Sequence, residues 1–454
     1  MGNSINTNKY IGIGYRGIVA PSIDSSAAAF FSATGITGAT QQSAVDALVK
    51  GLKADGLWSK MKAVYPFVTD NRNLLSYTED FSNAYWVKDK NGTGITPVVT
   101  VNSIVAPDGT TTASRIQLDR GTGTASSDFS LIYNTSNITL SAAGVYSFYA
   151  KSQTGSNQTL LVYWGGGQGT TFTLTTTWQR FEINNLSAAS NAIVFGTRAG
   201  SGAYYNGGQQ VLDIAVWHPQ LELGSTATTY QPIATTQQAY ISSQFKYNLV
   251  NPVDSDAAFR LVFNGGWTHS STGATPNGTN GYADTKFNPN TQLSFTNAHV
   301  SLYKNLGTIS AIEKVNGVYD IGANTVEFGI HPDRNTTLYS QIGLGSYVID
   351  SSVGGNSSVQ GNGYYIGARN ANNFIRLNKN NTNTLTNTTT SSPAAFPNDF
   401  VWLGGSHQVA QNTLISPNNY RYAMFTMGEY LNATEALNLY TRVQAFQTAL
   451  SRQV

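Results

Sequence analysis

The stretch Val145-Tyr146-Ser147-Phe148-Tyr149-Ala150 decides the fold class, because it is a short run, rich in aromatic and apolar residues, with a period of two. Runs of this kind, bounded by Gly, Ser or Asn, are typical of β-strands. Similar runs recur at residues 160–164, 212–217, 258–263, 363–367 and 400–403. Many short strands separated by turn residues favour sandwiches and jelly rolls. Strands and helices do not alternate along the sequence, so a parallel α/β fold is not expected. The sequence therefore predicts a mainly β protein with two β-sandwich or jelly-roll domains.

The composition agrees with a turn-rich β protein. Of the 454 residues, 40% are hydrophobic, which is enough for real cores, whereas 11% are charged. An average globular protein has about a quarter of its residues charged. The 44 glycines suit the positive-φ positions of tight turns. At roughly 100–200 residues per domain, the length predicts about two to four domains.

Charge and cysteine content exclude several classes of partner and site. The formal net charge is +2 and no block of Lys or Arg occurs, so we expect no nucleic-acid partner. Cysteine is absent, which excludes disulfides and thiolate metal sites. No apolar run approaches the roughly 18 residues of a membrane span, so we expect no membrane insertion. The first residues lack the basic and apolar regions of a signal peptide, and we expect synthesis in a cytoplasm without conventional export.

Two amphipathic helices are predicted, one near each end of the chain. Residues 40–54 place Ala44, Val45, Leu48, Val49 and Leu52 on one helical face. Near the other end, Asn432 and Glu435 have the spacing of a capping box. A stripe follows that consists of Leu439, Val443, Phe446 and Leu450. We expect the two helices to pack on each other or on a shared sandwich.

Residues 73–232 resemble a carbohydrate-binding-module-like β-sandwich that is common in virion proteins of tailed phages. The matching motifs follow one another in order across the module, at residues 73–86, 106–113, 146–151, 177–180 and 219–230. The chain departs from the family at Trp217-His218-Pro219, since the family usually has a pair of small residues after this Trp.

Residues 247–454 look like the laminin-G or concanavalin-A-like jelly rolls of the same kind of phage protein, on the strength of residues 256–270, 276–283 and the last helix. In such relatives a segment like residues 56–68 runs almost directly into one like residues 245–249, but here about 160 residues separate them. We therefore hypothesise that the first sandwich is inserted into a terminal domain. The hypothesis requires the face of Val45, Leu48 and Leu52, or Trp58, to contact the jelly roll. The predicted divisions are a docking arm (1–35), a helical segment (36–72), the inserted sandwich (73–235) and the jelly roll with its C-terminal helix (236–454).

Catalytic and nucleotide motifs give weak signals. Residues 12–17 fit a dinucleotide-binding glycine pattern, but Pro21 follows and no helix is indicated, so a docking arm is favoured. No two carboxylates have the clustered strand spacing of a glycosidase; Asp254 and Asp256 are suitably spaced but fall in a polar turn. The five histidines lie singly, without metal-ligand spacing. We therefore expect a protein that is not an enzyme.

Binding candidates come from aromatic residues beside glycine-rich segments. Trp164 ends a strand before a glycine-rich run, and Tyr204 and Tyr205 lie between glycines, so these three residues are the predicted sugar platform. Four other tryptophans fall in motifs that resemble the family's core, and we expect them to be buried: Trp86, Trp178, Trp217 and Trp267.

The resemblance also implies a metal and a biological setting. Related sandwiches often hold a structural Ca²⁺, for which the candidate side chains are Glu79, Asp80, Asp213 and Glu222. No cofactor is otherwise expected. The implied protein is a fibre-like or decoration component on the surface of a phage tail or capsid, assembled in the host cytoplasm. It would contact other virion proteins, form a homo-oligomer with a trimer favoured, and adhere to bacterial-surface or environmental glycans. Two alternatives stay open: a glycan-degrading depolymerase with an appended binding module, and a purely architectural virion protein.

Overall fold

The computed structural model describes residues 22–165, 168–200, 207–306, 314–320, 326–334, 339–344, 346–349, 361–371, 374–380, 383–388 and 395–454. Its α-helices are α1 (Ser25–Thr34), α2 (Ala39–Ala54), α3 (Gln237–Phe245), α4 (Pro289–Gln292) and α5 (Ala433–Ala449). Within these ranges, no helix is long and apolar enough to cross a membrane. Strands dominate the rest, which confirms the predicted mainly β class.

The first sandwich consists of two five-stranded sheets. One sheet has the order β10-β7-β13-β4-β3 and the other β2-β5-β12-β8-β9, while β6 and β11 form a separate pair. The strands are β2 (Trp86–Asn91), β3 (Ile95–Ile104), β4 (Ala113–Asp119), β5 (Phe129–Asn134), β6 (Ile138–Thr139), β7 (Gly144–Ser152), β8 (Gln158–Trp164), β9 (Gln168–Leu174), β10 (Gln179–Leu186), β11 (Ser190–Asn191), β12 (Ile193–Arg198) and β13 (Val211–Leu223).

Alternation along each strand builds the core between these two sheets. In β7, Tyr146, Phe148 and Ala150 lie in the core, so Ser147 and Tyr149 point to the outer face. The aromatic rings of Trp86, Phe81 and Phe195 pack against one another in the same core. This inward and outward division leaves one outer surface on each sheet for other contacts.

The second domain is a larger assembly of sheets. Its longest sheet has the order β15-β16-β29-β18-β23-β24-β25, a second has β22-β21-β20-β19-β27-β28, and a third has β14-β17-β26. The strands are β14 (Val262–Asn264), β15 (Trp267–Ser270), β16 (Gly273–Pro276), β17 (Tyr282–Asp284), β18 (Ala298–Leu306), β19 (Lys314–Asp320), β20 (Val326–Arg334), β21 (Tyr339–Leu344), β22 (Ser346–Ile349), β23 (Gly363–Ala371), β24 (Phe374–Lys379), β25 (Asn383–Asn387), β26 (Trp402–Leu403), β27 (Ser406–Gln408), β28 (Thr413–Ile415) and β29 (Arg421–Gly428).

One further strand, β1 (Met61–Tyr65), joins the second domain although it precedes the first sandwich in sequence. It pairs antiparallel with β29, with Val64 opposite Thr426 and Tyr65 opposite Phe425. The sandwich therefore lies between two parts of the chain that share one sheet.

Helix packing joins the same two parts of the chain. The buried face of α2, with Val45, Leu48 and Leu52, shares a core with the α5 residues Val443 and Phe446. Trp58 is half-buried against this core. At the surface of the helix pair, the Arg442 guanidinium donates to Asp55, with Nε 2.8 Å from Oδ2. These are the contacts that the insertion hypothesis requires.

The structure differs from the sequence expectations at three helices. Residues 25–34 of the predicted arm form α1, whose start is capped by Asp24 accepting from the Ser26 amide, and whose Phe30 and Phe31 pack into the shared helical core. Residues 1–21 lie outside the described residues. Helices α3 and α4 were not predicted, because α3 has a weak apolar stripe and α4 spans four residues.

Candidate functional site

The outer face of the β10-β7-β13 sheet carries a row of side chains suited to binding. Strand register places Arg180 of β10 opposite Tyr149 of β7, and Tyr149 opposite Trp217 of β13. Since all three residues alternate with core residues, they project to the same outer face. Tyr149 and Trp217 make an edge-to-face contact, with ring centroids 5.4 Å apart. The row thus combines a guanidinium with two aromatic rings on adjacent strands.

A β-bulge directly after Trp217 extends this row. The register of β13 against β7 shifts between Trp217 and Gln220. Within the bulge, His218 has a φ of +53°, the left-handed region that costs a non-glycine residue free energy. Pro219 follows and has no amide hydrogen for the ladder. Bulges re-aim side chains at sheet surfaces, and here the imidazole of His218 joins the outer face.

The re-aimed imidazole lies between two aromatic rings. Its centroid is 3.2 Å from the Trp217 ring, at an interplanar angle of 18°, and 3.6 Å from the Tyr230 ring, at 13°. The Tyr230 hydroxyl donates to the Glu79 carboxylate and lies 2.6 Å from the Thr78 Oγ1. Residues 217, 218 and 230, called the sandwich stack below, therefore form three parallel rings anchored at one end by a carboxylate.

Burial sets the charge state of this stack. It lowers the pKa of His218 to about 4, against a smaller opposite effect of Asp108. Burial also raises the pKa of the Tyr230 phenol above its ordinary value, with Glu79 acting in the same direction. At neutral pH the stack is therefore uncharged, and it presents ring edges and polar atoms rather than a formal charge.

Arg180 is the positive charge beside the stack, and it is held in place. One of its terminal nitrogens donates to the Thr228 carbonyl oxygen at 2.9 Å, and the other lies 3.2 Å from the Glu182 carboxylate. Thr228 is itself fixed by buried Glu222, which accepts from the Thr228 amide at 2.8 Å and from its hydroxyl at 2.7 Å. Hydrogen bonds to Thr228, which Glu222 holds in turn, therefore fix the position of the Arg180 guanidinium.

Together these residues line one groove of about 490 Å³, here called the aromatic groove. Its volume lies within the range of about 300–1,000 Å³ that is usual for small-ligand sites. The lining offers aromatic rings, hydroxyls, main-chain groups and one guanidinium, and it consists of Ser147, Tyr149, Arg180, Trp217, His218, Ala227, Thr228, Thr229 and Tyr230. Such a mixture can contact the apolar face of a sugar with the half-buried Tyr149 ring and the edges of the stacked rings, and can hydrogen-bond its hydroxyl groups.

The predicted sugar platform is not supported. Trp164 is 0% exposed and lies in the core with Leu160 and Val162, so the prediction that it offers a ring face to a ligand is wrong. These three residues alternate along β8, and the two before Trp164 already point inward. That alternation was a better guide than the glycines that follow. Tyr204 and Tyr205 lie outside the described residues.

The predicted calcium ligands each have another partner. Asp213 forms a salt bridge with Arg115, with Oδ1 2.8 Å from Nε, and Asp80 accepts from the Ser82 amide at 2.9 Å. Glu79 and Glu222 bond to Tyr230 and Thr228, as described above. Among the described residues, no group of three or more His, Asp or Glu side chains is placed to hold a metal ion. The four carboxylates therefore do not come together as the resemblance implied.

The remaining sequence candidates lie as follows. Trp86 and Trp217 are buried as expected, at 0% and 7% exposure, but Trp178 and Trp267 are half-buried. The suitably spaced pair Asp254 and Asp256 forms surface salt bridges with Arg260, at 3.1 and 2.8 Å.

Sequence reasoning missed most of the groove, namely Tyr149, Arg180, His218, Thr228 and Tyr230. These residues are far apart in sequence, and strand register brings them together. One signal was available: the departure from the family pattern at His218-Pro219 marks the bulge.

Comparison with known proteins finds no sequence match but weak structural similarities. No family model matches the chain, and no curated protein matches it. Weak similarities exist among solved structures. The enzymatically active domain of tailspike protein 4 from bacteriophage CBA120 is 13% identical, with a TM-score of 0.23, over 34% of this chain and 21% of that one. The match thus spans about a fifth of the tailspike chain.

Two carbohydrate-binding proteins give similar values. The family 11 carbohydrate-binding module from Clostridium thermocellum, in complex with a β-1,3-1,4-mixed-linked tetrasaccharide, is 14% identical, with a TM-score of 0.23, over 35% of this chain and 98% of that one. TmCBM61 in complex with β-1,4-galactotriose is 17% identical, with a TM-score of 0.22, over 34% and 100%. Since these likenesses are so weak, function must be inferred from the residues of this chain.

Proposed function

We propose that this protein binds glycans through the aromatic groove. The observation that supports the proposal is the row of Arg180, Tyr149 and Trp217 on three adjacent strands, extended by the bulge that brings His218 against Tyr230. The row lies on the outer face of its sheet, away from the core between the two sheets, and there Arg180 is exposed, Tyr149 is half-buried and Trp217 is buried. An apolar patch with convergent polar groups is typical of a binding site.

The charges around the groove favour a neutral glycan. Arg180 is the charged residue in the lining, and it is already paired with Glu182. Three more carboxylates lie close by: Glu79 and Glu222 bond to groove residues, and Asp108 acts on His218. Because carboxylates outnumber the guanidinium, a uronic or sialic acid polymer would meet net repulsion. The hydroxyl groups of a neutral sugar would not.

We further propose the biological setting that the sequence resemblance implies, a surface component of a phage tail or capsid. In this setting the protein is a homo-oligomer, with a trimer favoured, and it contacts other virion proteins. It binds its glycan without cleaving it. The support is the ordered set of motifs in residues 73–232 together with those of the jelly roll.

The first test is affinity electrophoresis of the full chain in gels that contain mixed-linked β-1,3-1,4-glucan, β-1,4-galactan or the acidic polymer alginate. We expect retardation by a neutral polymer and none by alginate. Arg180→Ala should weaken binding about tenfold or more, since it removes a charged hydrogen-bond donor. Arg115→Ala is the matched control, because Arg115 is an arginine on the same sheet that pairs with Asp213 outside the groove.

The outcomes separate the possible functions. Wild-type retardation of Arg180→Ala by a neutral polymer, or no retardation of the wild type by either neutral polymer, would contradict glycan binding at the groove. The latter result would favour a purely architectural protein. Release of reducing ends from a polymer, lost on changing one carboxylate, would instead identify a depolymerase.

A further inference from the structure

A second cleft adjoins the aromatic groove at the junction between the two domains. It has a volume of about 680 Å³, and we call it the junction cleft. Its lining comes from the connection between α1 and α2, from Arg72 and Tyr240 of the terminal domain, and from residues 228–232 at the end of the sandwich. Both domains therefore contribute to it.

The two clefts share a wall. Thr228, Thr229 and Tyr230 line the aromatic groove and also the junction cleft. These three residues thus face both clefts, and a linear polymer that passes over them can contact the aromatic groove and the junction cleft at the same time. A single sugar unit can occupy one cleft only.

Hydrogen bonds fix this wall to the sandwich and, through the adjoining Gln231, to the terminal domain. On the sandwich side, Gln220 donates to Glu222 at 2.7 Å and accepts from the Gln231 amide at 2.7 Å, while Glu222 holds Thr228. On the other side, the Gln231 carboxamide accepts from the Arg72 amide at 2.7 Å and lies 3.2 Å from the Tyr240 hydroxyl. The wall is therefore preorganised, and binding across it costs little ordering.

Asp70 strengthens the frame behind the junction cleft. Its buried carboxylate accepts from the amides of Thr37 and Gly38 at 2.7 and 2.9 Å, and from the Gln244 amide group at 3.1 Å. These bonds connect the start of α2 with α3. The two clefts consequently keep a defined relative position, although the terminal domain forms part of the junction cleft alone.

The chemistry of the junction cleft also suits a neutral, hydroxyl-rich ligand. Threonine hydroxyls, the Tyr240 phenol and main-chain groups line it, and the Arg72 guanidinium lies 3.8 Å from the Asp70 carboxylate. Arg72 is thus near its own counter-charge, as Arg180 is near Glu182. Neither cleft offers an unopposed positive charge.

From this geometry we infer that the ligand is an extended neutral oligosaccharide, with sugar units in the aromatic groove and in the junction cleft, lying across the wall of residues 228–230. The inference rests on the proposed glycan binding and adds to it the length of the ligand and the participation of the terminal domain. The inserted sandwich alone would then hold a short ligand, and the whole chain a longer one.

Isothermal titration of the full chain with oligosaccharides of increasing length, from disaccharide to hexasaccharide, tests the inference. The probes are the two neutral series, prepared from mixed-linked β-glucan and from β-1,4-galactan. For the wild type we expect affinity to rise about tenfold or more between the short and the long members. Arg72→Ala should abolish most of this rise while changing the affinity for short members less than about twofold.

A blocking variant covers the case in which Arg72→Ala perturbs the junction. Ala39 is exposed and lines the junction cleft, so Ala39→Trp should fill the cleft and also abolish the rise with length. Arg115→Ala serves again as the control, with an unchanged profile. If binding depends on Arg180 but the wild type has equal affinities for short and long members, the inference is overturned. The inference is also overturned if both cleft variants, Arg72→Ala and Ala39→Trp, retain the rise of affinity with length. Absence of any Arg180-dependent binding would instead overturn the proposed function.

Discussion

Each domain contains a stack of three rings with a histidine, and the two stacks differ in their surroundings. In the sandwich stack, His218 lies between Trp217 and Tyr230. In the second domain, Trp402 lies between Tyr282 and His407, with centroids 4.0 and 3.9 Å apart; we call this the jelly-roll stack.

The histidines show the difference most clearly. The side chain of His407 is 3% exposed, and both ring nitrogens have partners, the Phe400 carbonyl oxygen at 3.1 Å and the Asn412 side-chain oxygen at 3.0 Å. The side chain of His218 is 20% exposed, lines a groove and stands on a strained backbone. Ring stacking alone therefore does not indicate a binding site. Strain, partial exposure and an adjoining groove distinguish the one that we propose binds a ligand.

The largest expected effect is that of removing a tryptophan from each stack, which should destabilise both domains but weaken glycan binding in the sandwich stack only. Trp402 and Trp217 are buried to a similar degree, at 6% and 7% exposure, so Trp402→Ala and Trp217→Ala should each lower the free energy of unfolding by about 3–5 kcal/mol. Glycan affinity should fall about tenfold or more in Trp217→Ala alone. Calorimetry and affinity electrophoresis measure the two effects. Equal loss of binding in both variants would remove the distinction between the stacks.

An intermediate effect concerns pH. Burial lowers the pKa of His218 to about 4 from its ordinary value of 6.5, with Asp108 and Glu79 as the facing carboxylates. Between about pH 6.5 and pH 4, His218 is protonated in the unfolded chain but neutral in the folded chain, so the free energy of unfolding decreases as the pH falls through this range. Above about pH 6.5 His218 is neutral in both states, and its full contribution to the free energy of unfolding is present.

The variant His218→Gln checks this effect, because glutamine does not titrate. Melting temperatures recorded across the window should fall less steeply in the variant than in the wild type. Part of the slope should remain, since burial also lowers the pKa values of His269 and His299 to about 4. Identical slopes for both proteins would show that His218 does not contribute.

The smallest effect is expected for His218→Gly. Glycine relieves the cost of the left-handed backbone, about 1–2 kcal/mol, but loses two ring contacts of about 0.5–1.5 kcal/mol each and about 0.5–1 kcal/mol of additional chain entropy on folding. The gain offsets most of the loss, so urea unfolding should show a destabilisation of about 1 kcal/mol. His407→Gly, which removes a buried and fully bonded ring, should cost several times more. Similar losses in both variants would mean that the bulge at His218 is not strained.

The sequence was informative wherever a local pattern sets the structure. The period-two runs at residues 145–150, 160–164, 212–217 and 363–367 fall in strands, whereas the run at 258–263 is a strand only from Val262 onward. The capping pair Asn432 and Glu435 marked the start of α5, where both reciprocal bonds form. The pattern also allowed a wrong choice at Trp164, where neighbouring glycines were given more weight than alternation along β8. The candidate groove was almost wholly missed.

The sequence by itself determined the mainly β class and the strand faces, because a period of two follows from the geometry of an extended chain. Only the tertiary structure decided which side chains meet. Arg180, Tyr149 and Trp217 are neighbours through strand register, and Tyr230 reaches His218 through a bulge. The junction cleft likewise depends on a wall bonded to two domains. Such contacts join residues that are distant in sequence, and no local pattern encodes the register that brings them together.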